Sequence, residues 1–260
     1  MSHCKQATRL VIKCGTGALY PGVWGIGGLH LTTRFGHIAR QVVAAETQGT
    51  LSALISSGAA RAGQENFKGS LLTFPLGRRE EWAGIGTRYL LKGWGDAFGE
   101  HGKEISYILA SRASRMDDEE KEMIRSAIWD YERCGVVPIL NENDMTLDAG
   151  YGRSENDALA CEIARLIRAD AILFLTGVGG VYEKDPVCNL DVRQYAEIDP
   201  RTALTDPWLR RGMAKKLSEA VRCFAMGMRV AIAGSEGDVI HRFAMGEPVG
   251  TMIGNSVRFY

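Results

Sequence analysis

Short apolar runs alternate along this chain with longer segments of helical periodicity, and this alternation restricts the folds that the chain can adopt. The clearest case is Val136–Leu140, an apolar run between Gly135 and Asn141 that is followed, from about Glu155, by a segment rich in Ala, Leu and Ile. A continuous apolar run of this length is typical of a strand buried on both faces. Strands that alternate with helices predict a mainly parallel sheet with helices on both faces.

The same patterns recur along the whole sequence. Apolar runs predict further strands at 9–14, 51–55, 104–110, 169–176, 229–233 and 250–253. Helical periodicity predicts helices at 35–47, from about 59, at 84–101, 117–134, from about 155, from 210 to about 226 and at 238–244.

Composition and charge exclude several classes of protein. The 260 residues are 45% hydrophobic, which suits one large α/β domain or two closely joined lobes. Lys+Arg and Asp+Glu both total 31, so neither a nucleic-acid nor a membrane surface is expected. The six cysteines are far apart and no signal-peptide pattern is present, which predicts a cytoplasmic protein with reduced thiols. The histidines lack paired spacing, so no zinc site is predicted.

Polar residues crowd both ends of the loop that follows Val136–Leu140. They are Asn141, Asn143 and Asp144 after the strand, and Ser154, Glu155, Asn156 and Asp157 at the start of the helix. Ligands of open α/β sheets bind at the carboxyl ends of strands, and helix amino termini attract anions. This loop is therefore a candidate small-molecule site, although the same residues are also ordinary turn formers and helix caps.

Two earlier strands also end in sequences that suit anion binding. Lys13 lies near the end of an apolar strand and precedes Gly15–Gly17, whose N–H groups would face a phosphate. Ser56–Gly63 follows the next strand and opens a helix of small residues. The alternative for Lys13 is a strand-end lysine whose ammonium group simply reaches water.

Three other segments have simpler interpretations. The glycine-rich stretch 20–33 is either a flexible loop or a mobile flap. The turn Gly177–Tyr182 is expected to be a plain loop, because no following helix completes a dinucleotide-binding motif. The charged run Arg78–Glu81 is predicted to be solvated surface without a chemical role.

Several of these segments together resemble the amino acid kinase family, and within it the glutamate 5-kinases. They are 12–17, 56–59, 137–144, 155–160, 175–182, 185–186 and 212–217, of which Asn141–Asp144 is the most specific. The resemblance implies a three-layer α/β/α sandwich formed by a single domain, 1–260. Its lobe 1–150 would hold the acceptor and its lobe 151–260 the nucleotide, without the carboxy-terminal PUA domain of many glutamate 5-kinases.

The resemblance also implies roles for individual residues and the use of ATP and Mg²⁺. Lys13 and Lys216 would neutralise the transferring phosphoryl group, and Asp157 would hold both ammonium groups in place. The other implied residues are Gly15, Thr16 and Gly58 for phosphate, Ser57, Asn141, Asp144 and Asn156 for the amino acid, Thr176, Gly177, Tyr182, Asp185, Gly212 and Met213 for the nucleotide, and Glu155 as a candidate metal ligand.

Three positions depart from the family pattern. Glu155 stands where Asp usually precedes Asn-Asp, and its extra methylene would move a metal or lysine contact by about 1 Å. Gly177 replaces the usual Asp after Thr, and Leu209–Gly212 replaces a glycine-rich loop. The guanidinium groups of Arg210 and Arg211 would either strengthen phosphate binding or stiffen a loop that closes over ATP.

The function implied is ATP-dependent phosphorylation of the side-chain carboxylate of L-glutamate or a close acidic analogue, as in proline biosynthesis. A downstream enzyme such as an acyl-phosphate reductase would consume the product, and the resemblance implies a homo-oligomer. Two alternatives stay open: a family member acting on another carboxylate, a phosphate or a carbamate, and a non-catalytic regulatory subunit. A carboxylate is already a nucleophile at neutral pH, which fits a site without a catalytic histidine.

Overall fold

A computed structural model describes residues 5–20, 31–67, 77–144, 155–186, 188–189, 191–209 and 213–260, with the backbone alone for 31–33. The predictions for 21–30, Ser154, Arg210, Arg211 and Gly212 lie outside the described residues.

One nine-stranded sheet forms the centre of the described structure. Its strands are β1 (Arg9–Cys14), β2 (Leu51–Ser56), β3 (Ile105–Ala110), β4 (Val137–Glu142), β5 (Ala171–Thr176), β6 (Tyr195–Ile198), β7 (Arg229–Gly234), β8 (Thr251–Ile253) and β9 (Arg258–Phe259). Their order is β3-β4-β2-β1-β5-β7-β8-β6-β9, and only the β7–β8 and β6–β9 pairs among them are antiparallel. The predicted mainly parallel sheet is confirmed.

Helices cover both faces of this sheet. They are α1 (Thr16–Leu19), α2 (Leu31–Thr47), α3 (Ala59–Asn66), α4 (Arg79–Gly99), α5 (Asp118–Cys134), α6 (Asn156–Leu166), α7 (Pro200–Thr205), α8 (Ala214–Ala225) and α9 (Val239–Ala244). No helix among the described ranges combines the length and the hydropathy needed to cross a membrane.

Two hydrophobic cores lie on opposite faces of the sheet. Side chains of α2, α4 and α9 form one, in which Phe35 packs edge to face on Trp94 at 4.5 Å between ring centroids. Side chains of α5, α6 and α8 form the other, which includes Ile163 and Leu217. Successive strand residues alternate between these cores, which is why helices are needed on both sides.

The structure differs from the sequence prediction mainly at short elements and at two helix starts. Helix α2 begins at Leu31, so 31–33 are helical rather than part of the predicted loop or flap. Helix α4 begins at Arg79, inside the charged run, because the Glu81 carboxylate accepts hydrogen bonds from the backbone N–H groups of Gly77 and Arg78 at 3.1 Å each. No element was predicted for α1, β6, α7 or β9, which have six residues or fewer. Elements this short carry too little periodicity to detect in sequence.

Candidate active site

Three neighbouring strands, β4, β2 and β1, end at one side of a polar cavity of about 470 Å³. The amino termini of α3, α4 and α6 complete its wall. The lining side chains and glycine are Lys13, Thr16, Ser57, Gly58, Ala60, Arg61, Gln64, Arg79, Asp144, Asn156 and Asp157. The loops after three separate strands therefore meet at one cavity.

Asp157 lies between the two predicted lysines. Its Oδ1 is 2.9 Å from Lys13 Nζ and 2.7 Å from Lys216 Nζ. Lys13 reaches it because side chains alternate along β1: Val11 packs in the core beneath α6, and Lys13 lies on that same face. Lys216 comes from the first turn of α8, and its ammonium group lies 5.3 Å from the centre of the Phe174 ring.

The charges of this triad shift the pKa values of two of its members. Burial acts to raise the pKa of Asp157, but the charges of Lys13 and Lys216 outweigh burial and lower it. Burial lowers the pKa of Lys216 to about 8; the charge of Lys13 acts in the same direction and Asp157 opposes both. Asp157 therefore stays ionised near neutral pH, and the three groups carry a surplus positive charge that suits a phosphoryl group.

A buried hydrogen-bond network fixes the start of α6 against the end of β4. Asn156 Nδ2 donates to Asn141 Oδ1 at 2.9 Å, and Asn156 Oδ1 accepts from the backbone N–H of Glu142 at 3.1 Å. The N–H of Glu155 donates to Glu142 Oε2 at 2.6 Å, and Arg112 Nε lies 3.2 Å from Glu142 Oε1. Asn156 faces the cavity, whereas Asn141 is not among its lining residues and supports Asn156 from behind.

Asp144 has a partner that the sequence analysis did not assign. Arg79 Nη1 donates to Asp144 Oδ1 at 2.6 Å, and both residues line the cavity. The prediction that Arg78–Glu81 is merely solvated surface is therefore wrong for Arg79. Its partner lies 65 positions further along the chain, so no local sequence pattern indicates this contact.

The predicted phosphate-binding residues surround Lys13, but their backbone groups differ in availability. Thr16 and Gly58 line the cavity. Gly58 directly precedes α3 and has a φ of +94°, a backbone conformation that a side chain would strain. The N–H of Gly15 donates to the Leu175 carbonyl at 3.1 Å and is already used within the sheet. Ser57 Oγ is buried and has no hydrogen-bond partner among the described residues.

The predicted nucleotide-binding residues do not share one described cavity. Thr176 and Gly177 line a second cavity of about 530 Å³, formed by the loops after β5 and β7. Tyr182 and Asp185 belong to the segment between β5 and β6 and do not line that cavity, and Met213 immediately precedes α8. A Cβ atom at Gly177 would lie 3.1 Å from the Gly17 carbonyl oxygen, so the missing Asp at this position accompanies a close approach of two loops.

Glu155 does not form a metal cluster in the described structure. Its carboxylate lies 3.1 Å from Lys215 Nζ, and no group of three or more His, Cys, Asp or Glu side chains among the described ranges is arranged to hold a metal. Asp157 is occupied by two ammonium groups. The described side chains therefore do not fit a protein-held magnesium site, and Mg²⁺ would enter as part of a MgATP substrate.

The fold has close structural neighbours among kinases. The UMP kinase of Bacillus anthracis superimposes with a TM-score of 0.67 at 18% sequence identity, over 98% of this chain and 100% of that one. The UMP kinase of Ureaplasma parvum gives a TM-score of 0.63 at 17% identity, over 96% and 99% of the two chains. The α/β fold is thus shared with UMP kinases.

Sequence similarity defines the family. Residues 8–234 match the sequence model of the amino acid kinase family, and the chain belongs to that family. The glutamate 5-kinase of Burkholderia multivorans is 32% identical over 257 residues, which are 95% of this chain and 68% of the relative. That of Shewanella halifaxensis is 30% identical over 256 residues, 94% and 67% of the two chains. The predicted resemblance is confirmed, and the family identifies the chain as a phosphotransferase.

Proposed function

We propose that this protein transfers the γ-phosphoryl group of MgATP to the side-chain carboxylate of L-glutamate or a close acidic analogue. The observation that carries the proposal is Asp157 held between Lys13 and Lys216 at the edge of a polar cavity. The similarity to glutamate 5-kinases supports the choice of acceptor. The product would be an acyl phosphate and ADP.

The proposed chemistry needs positioning and charge neutralisation rather than a general base. A carboxylate oxygen attacks the γ-phosphorus while the bond from phosphorus to the bridging oxygen of ADP breaks, and no proton has to be removed from the nucleophile. Lys13 and Lys216 would stabilise the charge on the transferring phosphoryl oxygens. Asp157 would keep both ammonium groups in place and limit their mutual repulsion.

The acceptor would bind among Ser57, Asp144 and Asn156. The unpaired buried hydroxyl of Ser57 and the fixed amide of Asn156 supply hydrogen-bonding groups without a large change in structure. Backbone amides around Thr16 and Gly58 would contact phosphate oxygens.

Because an acyl phosphate is unstable, a reductase or another trapping enzyme would act next, as in proline synthesis. We also propose that the protein is a homo-oligomer.

A second candidate function is phosphorylation of an acceptor that itself carries a phosphate. Two guanidinium groups, those of Arg61 and Arg79, line the acceptor cavity and would suit a phosphate group. Each of them also has a carboxylate partner, Glu65 and Asp144 respectively, which lowers the net positive charge and favours the amino acid.

The test is an acceptor screen with purified protein, MgATP and hydroxylamine, which converts an acyl phosphate to a hydroxamate. We expect hydroxamate formation that depends on L-glutamate. ADP release with a phosphorylated acceptor and no hydroxamate would favour the second candidate. ATP binding without turnover of any acceptor would contradict both and leave a regulatory role.

A further inference from the structure

The start of α4 places a guanidinium group in the acceptor cavity beside a buried carboxylate. Asp144 is almost fully buried, with 5% of its side chain exposed, whereas 37% of the Arg79 side chain is exposed. Arg79 is the first residue of α4, so the cap formed by Glu81 fixes its backbone at the cavity wall. The pair therefore presents a positive and a negative group side by side to the cavity.

Among the described residues, each partner uses only part of its hydrogen-bonding capacity. A guanidinium group has five N–H donors, and a carboxylate has two oxygens that each accept more than one hydrogen bond. The contact at 2.6 Å joins Arg79 Nη1 to Asp144 Oδ1. The other Arg79 donors and the second Asp144 oxygen are the groups that a ligand would use.

We infer that Arg79 binds the α-carboxylate of the acceptor amino acid beside the α-ammonium position at Asp144, a role that rests on the proposed function of the same cavity. Arg79 binds the α-carboxylate, and Asp144 binds the α-ammonium group. The mutual contact holds both in register and compensates the buried charge of Asp144 when the cavity is empty. Arg79 therefore favours acceptors that carry an α-carboxylate as well as an α-ammonium group. Asp144 alone would not distinguish them from amines that lack the carboxylate.

Acceptor analogues that lack one of the two groups separate the partners. The compound 4-aminobutyrate keeps the reacting carboxylate and the ammonium group of L-glutamate but lacks the α-carboxylate, and glutarate lacks the ammonium group. The variant is Arg79→Met, with Arg79→Lys as a second variant that keeps the charge. The matched control is Arg88→Met, which changes an exposed arginine on the same helix.

The primary measurement is binding of each compound by calorimetry, which does not depend on turnover. We expect Arg79→Met to weaken L-glutamate binding roughly ten- to a hundredfold, the usual effect of losing a charge-assisted hydrogen bond. Binding of 4-aminobutyrate should not weaken, because this compound has no group for Arg79 and its ammonium group would compensate the charge that the variant leaves on Asp144. Arg79→Lys should be intermediate for L-glutamate, and Arg88→Met should match the native chain.

Several results would overturn the inference. They are unchanged L-glutamate affinity in Arg79→Met, an equal loss for L-glutamate and 4-aminobutyrate, or no L-glutamate binding by the native chain. If Arg79→Met does not fold, equal L-glutamate affinity in Arg79→Lys and the native chain would have the same force. L-glutamate binding that needs Arg79, without any hydroxamate formation, would contradict the proposed function and leave the inference standing.

Discussion

A single carboxylate oxygen of Asp157 contacts the ammonium groups of Lys13 and Lys216. The pKa of Lys216 therefore depends on its burial and on its charged neighbours Lys13 and Asp157. Lys216 is largely buried, with 15% of its side chain exposed, and it has Asp157 and the Phe174 ring as neighbours. Of the two lysines it is the one carried by a helix rather than by the sheet. Its side chain would bridge the acceptor cavity and the nucleotide.

Replacement of Lys216 by Ala should lower kcat by at least about a thousandfold, because such a charge stabilises the transition state more than the ground state. The matched control is Lys215→Ala, which removes a mostly exposed neighbour paired with Glu155. Steady-state kinetics with MgATP and L-glutamate check this. Equal kcat values for Lys216→Ala and the native chain would contradict the assignment of Lys216.

The pKa of Lys216, about 8, predicts a pH dependence of the free enzyme. The ammonium form is the one that neutralises phosphate, so kcat/KM for MgATP should fall as pH rises through about 8. Lys216→Arg keeps its charge at higher pH, so this variant should lose that alkaline decline whatever its absolute rate. An identical decline in the native chain and in Lys216→Arg would assign the titration to another group.

At the scale of elements, the crossing of α3 and α4 sets the shape of the acceptor cavity. A Cβ atom at Gly86 would lie 1.7 Å from the Ala59 carbonyl oxygen, and one at Gly63 would lie 2.0 Å from the Trp82 carbonyl oxygen. The two helices therefore touch backbone to backbone. Helix α3 follows Ser57 and Gly58 directly, and α4 begins at Arg79, so this contact fixes the distance between those cavity residues.

Gly86→Ala should destabilise the protein by roughly 1–3 kcal/mol, because overpacking pushes the helices apart. Gly95→Ala on the same helix is the control: its Cβ would meet only Ile105 Cδ1 at 4.0 Å, so the change should be neutral or slightly stabilising. Urea unfolding measures both. Gly86→Ala should also raise KM for the acceptor more than KM for MgATP. Equal free energies of unfolding for Gly86→Ala and Gly95→Ala would contradict the stability prediction, because they would show that α3 and α4 adapt without strain.

Some elements of this fold can be predicted from the sequence alone, and others cannot. Buried strands such as β1 and β5 are short, largely apolar runs followed directly by glycine, and these signals are local. The sequence predicts this helix at 84–101, five residues later than its start at Arg79. The charged run Arg78–Glu81 resembles a solvated loop, and its sequence does not show that Glu81 caps the helix. Asp157 belongs to a motif that is contiguous in sequence and can be recognised there. The role of Arg79 depends on a tertiary contact with a residue 65 positions away, which no local pattern indicates.

At the scale of the whole molecule, parallel topology brings distant segments to one edge of the sheet. Strand β1 lies between β2 and β5, so the loop that follows it adjoins both the acceptor cavity and the second cavity lined by Thr176 and Gly177. The polar residues at the ends of separate strands are evident in the sequence, and the structure brings three of these strand ends to one cavity. The separation of the acceptor cavity from the second cavity is not evident in the sequence, because the packing of Gly17 on Gly177 is a property of the folded loops.

Lys13 and Lys216 come from the first strand and from a helix near the carboxyl end, yet they meet on one oxygen atom. During synthesis, the elements from β1 to α7 precede α8 along the chain and can be built without completing this contact. A ribosome-bound or prematurely terminated chain that lacks α8 cannot hold a phosphoryl group between two lysines. If the two lysines act as proposed, such a partial chain would leave ATP intact, and the order of the residues along the polypeptide would delay catalysis until α8 has been made.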